Sequence, residues 1–78
     1  MPTLRWFAQA REAAGTGAEE GHGVTVAEVL ADAVVRHGPA LAAVIECSAI
    51  WVDGEPAGPD DPVAGTAEVA VLPPVSGG

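Results

Sequence analysis

One segment of this chain carries a complete helical signature, and it limits what the rest can do. Thr25-Val26-Ala27-Glu28 matches a capping box, in which the threonine hydroxyl and the glutamate side chain satisfy backbone N–H groups at a helix start. Behind it, Val26, Val29, Leu30, Ala33 and Val34 recur at helical spacing, and Gly38-Pro39 is a stop signal. A helix over about Val26 to His37 thus has one apolar stripe that needs a cover. Ala40 to Glu46 can add a short second helix.

Short alternating segments supply the cover. Thr3 to Gln9 reads as a strand, with Leu4, Trp6 and Ala8 on one face and Thr3, Arg5, Phe7 and Gln9 on the other. Trp6 goes to the core, which leaves Phe7 on the more polar side. Gly15 to Gly23 reads as a flexible loop or wide hairpin turn. Ala49 to Val52 alternates again and meets Asp53-Gly54, a strong hairpin signal. Its return arm, Glu55 to Gly58, contains Pro56 and belongs at an edge. Pro59 to Pro62 is a turn, and Glu68 to Leu72 is the last strand, with Val69 and Val71 facing one side and Ala70 and Leu72 the other. Strands around one main helix predict a two-layer α+β domain with a mixed sheet. The second sheet face is then partly open, with Phe7, Leu72 and Trp51 on it. A contiguous apolar group there marks a partner site.

Seventy-eight residues make one domain, near the lower limit for a core without staples. One cysteine, Cys47, excludes an internal disulfide and a multi-cysteine metal site, and its setting after an apolar run predicts a packed structural thiol. His22 and His37 stand alone and read as surface histidines; Asp60-Asp61 reads as a solvated turn. No run is long enough to span a membrane, and Met1-Pro2-Thr3-Leu4 lacks a signal-peptide pattern, so the expected location is cytoplasmic. Eleven acidic residues against three arginines and no lysine give a net charge of −8. That balance disfavours nucleic acid and anionic membranes and suits a basic protein partner.

No nucleophile, base or metal set emerges from the chain except at its end. Pro73-Pro74-Val75-Ser76-Gly77-Gly78 follows the last strand as a tail, with residues 1–72 as the folded domain and 73–78 as the extension. The prolines favour an extended path. Six residues reach roughly 20 Å at about 3.3–3.6 Å each. The last two carry no Cβ, so a free carboxylate on such a thread enters a channel too narrow for other residues.

These residues resemble a known family. Phe7-Ala8-Gln9-Ala10-Arg11-Glu12-Ala13-Ala14-Gly15 is similar to the first-strand segment of MoaD, the small subunit of molybdopterin synthase. Glu68-Val69-Ala70-Val71-Leu72-Pro73-Pro74-Val75-Ser76-Gly77-Gly78 resembles that family's C-terminus almost residue for residue, and Val52-Asp53-Gly54-Glu55-Pro56 takes the place of its central hairpin. Thr66 departs from the aspartate common before the last strand, which touches a turn and not the chemistry. The thiamine-pathway carrier ThiS shares the diglycine but is less similar at the first strand.

The resemblance implies a ubiquitin-like β-grasp fold and a sulfur-carrier role. An ATP- and magnesium-using partner would adenylate Gly78, and a sulfur donor protein would convert it to a thiocarboxylate. The tail would then deliver sulfur inside the synthase large subunit, with Gly77 needed for access and no cofactor resident on the chain itself. Phe7, Pro56, Leu72, Pro73, Pro74, Val75 and Ser76 would be the partner contacts. Carriers for thiamine or cysteine synthesis, a modifier joined to lysines through Gly78, and an interaction module with an inert tail are the alternatives.

Overall fold

A computed structural model describes residues 1–74; Val75, Ser76, Gly77 and Gly78 lie outside the described residues. Five strands form one sheet: β1 (Thr3–Trp6), β2 (Ala18–Glu20), β3 (Ala49–Val52), β4 (Glu55–Pro56) and β5 (Glu68–Leu72), in the order β2-β1-β5-β3-β4. β1 and β5 run parallel at the centre, and every other pair is antiparallel. Three helices complete the fold: α1 (Ala8–Ala14), α2 (Val26–His37) and α3 (Pro39–Glu46). This is the mixed-sheet β-grasp architecture expected, with two elements unforeseen.

The first is α1, which replaces the second half of the predicted strand. β1 stops at Trp6, and Ala8, at φ 48, turns the chain into a seven-residue helix closed by Gly15. Ala8 to Ala14 consists of strong helix formers, which was the available signal. Alternation misled because alanines at 8 and 10 fit either period; Ala10 is fully buried, as a helix residue.

The second is β2, inside what reads as a glycine-rich loop. It pairs with β1 through Thr3–Glu20, Leu4–Glu19 and Arg5–Ala18. Gly23 then lets the chain pass tightly over α2: a Cβ there, at φ +149, would meet Glu28 Cβ at 2.7 Å and the Val29 nitrogen at 2.8 Å. Gly21 and Gly23 serve close approach here, not looseness.

α2 begins as predicted. The Glu28 N–H donates to Thr25 Oγ1 at 3.2 Å, while Glu28 Oε1 accepts from the Val24 N–H at 3.1 Å. The Pro59–Pro62 turn takes further orphan donors: the Val26 and Ala27 N–H groups donate to the Asp61 and Pro59 carbonyls at 3.0 and 2.9 Å. Gly38, at φ 96, ends α2 and leads directly into Pro39 at the start of α3. Asp53 and Gly54 both take positive φ, 50 and 82, as a type I′ hairpin turn requires. Pro56 sits on the edge strand β4, where its missing N–H costs no ladder bond.

The core lies between the helices and one sheet face. Leu4 and Trp6 of β1, Val69 and Val71 of β5, Val26, Val29 and Ala33 of α2 and Leu41 of α3 are all buried. Leu30, Val34, Ile50 and Val52 are partly covered around them. Among the described residues, no buried side-chain polar atom lacks a partner.

One carboxylate ties the sheet edge to α2. The Trp6 Nε1–H donates to Glu19 Oε2 at 2.7 Å, and His37 Nε2 donates to the same oxygen at 2.6 Å. Arg36 pairs with Glu19 Oε1 and, through Nε, with Asp32 Oδ2 at 3.0 Å. His37 is therefore half-buried with its ring edge-on to Trp6, centroids 6.3 Å apart, and is not the free surface histidine expected. Strand pairing decided this: a glutamate in β2 opposite Leu4 lands on the core side.

Burial, the largest influence on Glu19, pushes its carboxyl up. Hydrogen bonds from Arg36, Trp6 and His37, with the charge of Arg36, outweigh it and hold the group below its ordinary value of 4.5. A carboxyl lowered in the folded state adds stability that is complete above about pH 4.5 and is lost as pH falls through the folded value. Glu19→Gln is therefore expected to cost about 1–2 kcal/mol at pH 7, discounted for the exposure of Arg36. The gap to the unsubstituted chain should narrow as pH falls below about 4.5. Thermal melts across this range check it; a gap that widens on acidification would contradict the sign.

Candidate functional site

The open sheet face presents the residues expected of a docking surface. Strand register places Arg5, Ala70, Trp51 and Pro56 in one row across the sheet, and Ala49 and Leu72 in the next. Phe7 extends the second row: its backbone stays extended at φ −121, ψ 152, and its N–H donates to the Val71 carbonyl at 3.3 Å. Although it caps α1 and is not a strand residue, it keeps the parity assigned to it. Its side chain is 41% exposed, whereas neighbouring Trp6 is 2% exposed. Leu72 and Trp51 are half-buried and Pro56 is exposed. Phe7, Pro56 and Leu72 thus share one face, as the sequence predicts.

The C-terminal arm leaves from this sheet at the centre, since β5 is its middle strand. Pro73 is buried and Pro74 exposed. The two prolines, with Gln9, Ala43, Val44 and Cys47, line a groove of about 360 Å³ between α1 and α3. Cys47 is exposed at the end of α3 and is not the packed thiol expected. Val75, Ser76, Gly77 and Gly78, the remaining tail residues singled out, lie outside the described residues.

Elsewhere the chain offers little chemistry. Among the described residues no group of three or more His, Cys, Asp or Glu side chains could hold a metal ion. His22 is exposed, and Asp60 and Asp61 are exposed turn residues, Asp61 Oδ2 accepting from the Gly58 N–H at 2.7 Å. No described helix is long and apolar enough to cross a membrane.

The ThiS family model matches residues 4–78, nearly the whole chain and both terminal glycines. The chain belongs to the ThiS family. Among solved structures it is similar to small archaeal modifier protein 1 from Methanosarcina acetivorans, at 29% identity and a TM-score of 0.88, covering 99% of this chain and 95% of that one. It also shares its fold with the Amycolatopsis orientalis BexX/CysO complex, at 24% identity and a TM-score of 0.86, covering all of both chains. The complex of subunits 1 and 2 of molybdopterin-converting factor from Helicobacter pylori matches at 18% identity and a TM-score of 0.70, covering 99% and 97%. No curated protein matches the chain. Family membership establishes a ubiquitin-like protein of the sulfur-carrier and modifier type, and two of these three similar structures are complexes with a protein partner.

Proposed function

We propose that this chain is a sulfur carrier that works from its own C-terminal carboxylate, as the small subunit of a molybdopterin synthase. The observation that carries the carrier reading is the terminal Gly77-Gly78 pair, placed within the family match and beyond a proline arm that leaves the central strand. The molybdopterin destination draws on the similarity of the segments Phe7 to Gly15 and Glu68 to Gly78 to that subunit.

The chemistry follows from what a carboxylate lacks. Its charge repels nucleophiles and its leaving group would be oxide. An activating enzyme using ATP and magnesium lets a Gly78 oxygen attack the α-phosphorus, and pyrophosphate leaves. Sulfur at the sulfide level, brought by a donor protein, then attacks the acyl carbon and AMP departs with one original carboxylate oxygen. The resulting thiocarboxylate stays nucleophilic at neutral pH, and insertion into the large subunit supplies proximity. The setting for this exchange is cytoplasmic.

Intact mass of the protein from its own cells tests the carrier reading: one oxygen replaced by one sulfur is expected, and its absence under sulfur-replete growth would refute it. Incubating the thiocarboxylated chain with the synthase large subunit and cyclic pyranopterin monophosphate tests the destination; molybdopterin should form. A second reading, conjugation to lysines of other proteins, is favoured by the 29% identity to the archaeal modifier. High-mass conjugates that disappear on deletion of Gly77 and Gly78 would select it.

The open face is the proposed partner surface, and Phe7→Ala tests it. Burying a large apolar side chain is worth roughly 1.5–3 kcal/mol, part of which offsets association entropy. Binding to the large subunit should weaken by about tenfold or more, mainly through faster dissociation. Surface plasmon resonance reads both constants.

A further inference from the structure

Basic charge is scarce in this chain, and its placement is uneven. Of three arginines, Arg36 is committed to Glu19 and Asp32. The other two, Arg5 and Arg11, line one and the same pocket of about 320 Å³. Arg5 comes from β1 and Arg11 from α1, so the turn at Ala8 brings them together. Gly17 and Ala18 line it with little side-chain bulk, and the exposed Phe7 lines it as well. The Arg11 guanidinium lies over Gly17: a Cβ on that glycine would be 3.5 Å from Arg11 Nε. Arg11 forms no ion pair with any described residue. Arg5 faces Glu68 at 3.7 Å, but both side chains are about half exposed, and such a pair is readily exchanged.

We infer that this pocket receives an aspartate or glutamate side chain of the protein that docks on the open face. The inference rests on that face being the partner surface, as proposed above. Two guanidiniums offer the planar donor pairs that suit a carboxylate, and the Phe7 ring gives its methylene stem an apolar wall. A free polyanion would approach against a net charge of −8, whereas one carboxylate carried on an otherwise basic partner surface does not. The chain therefore presents an acidic exterior with a single positive socket beside its exposed aromatic. Such a charge inversion fixes docking register, because a basic surface without the acid leaves two arginines facing like charge.

Binding of the purified synthase large subunit to Arg5→Gln, Arg11→Gln, the double variant and Phe7→Ala tests this, with circular dichroism as the folding control. The double variant is expected to bind about tenfold or more weakly. One Asp→Lys or Glu→Lys substitution on the large subunit should restore binding to Arg11→Glu. If Arg11→Gln does not fold, Arg5→Gln alone should still weaken binding and Arg11→Lys should retain it. Wild-type affinity in the double variant, with Phe7→Ala weakened, overturns the socket and leaves the docking face standing. Wild-type affinity in both the double variant and Phe7→Ala overturns the docking face as well.

Discussion

Adding one alanine after Gly78, or changing Gly77 to valine, is expected to abolish thiocarboxylate formation without altering the thermal midpoint. An extra residue displaces the carboxylate by about 3.3–3.6 Å, and misplacing a reacting atom by even about 1 Å can cost on the order of a hundredfold in rate. Valine at 77 sets a branched Cβ beside the acyl carbon, where the parent thread has none. Neither change reaches the core, whose last strand ends at Leu72. Intact mass after incubation with ATP, the activating enzyme and a sulfur donor gives the result directly. Normal loading of either variant would remove Gly78 from the centre of the proposed function.

The second large effect concerns the neighbour of Phe7. Trp6→Ala is expected to destabilise the domain by about 3–5 kcal/mol, the range for emptying a buried aromatic site. A chain of this size holds roughly 4–12 kcal/mol in total, so much of the molecule would be unfolded at growth temperature. At about 4–8 °C per kcal/mol, the midpoint should fall by at least 12 °C. Part of the loss is polar, because Glu19 loses the Trp6 N–H donor while staying partly buried beside His37 and Arg36. Phe7→Ala, one residue along, should barely move the midpoint and should act on binding. Differential scanning calorimetry separates the two. A Trp6→Ala protein that melts like the parent would mean that the core does not depend on this ring.

The two residues also show how far sequence reasoning reached. Side-chain parity along β1 follows from the two-residue repeat of an extended chain, so it was enough to assign Trp6 inward and Phe7 outward. The span of α2 followed from a capping box and a stop signal that act within a turn of the helix ends. The Asp53-Gly54 hairpin and the face assignments of β5 are equally local. The diglycine tail and the acidic balance, which carry the proposed function, are covalent facts of the chain.

Tertiary structure decided what depends on partners distant in sequence. Ala18–Glu20 has little strand signal of its own and becomes β2 because β1 offers it an unpaired edge. That pairing alone turns Glu19 to the core side, where Trp6, Arg36 and His37 make a partly buried carboxylate tolerable. Arg5 and Arg11 meet in one pocket only because the chain reverses direction at Ala8. Periodicity records the face a side chain takes within its own element. The chain's end and its charge were therefore legible from sequence, while the carboxylate latch and the two-arginine socket had to wait for the packing of strands and helices against one another.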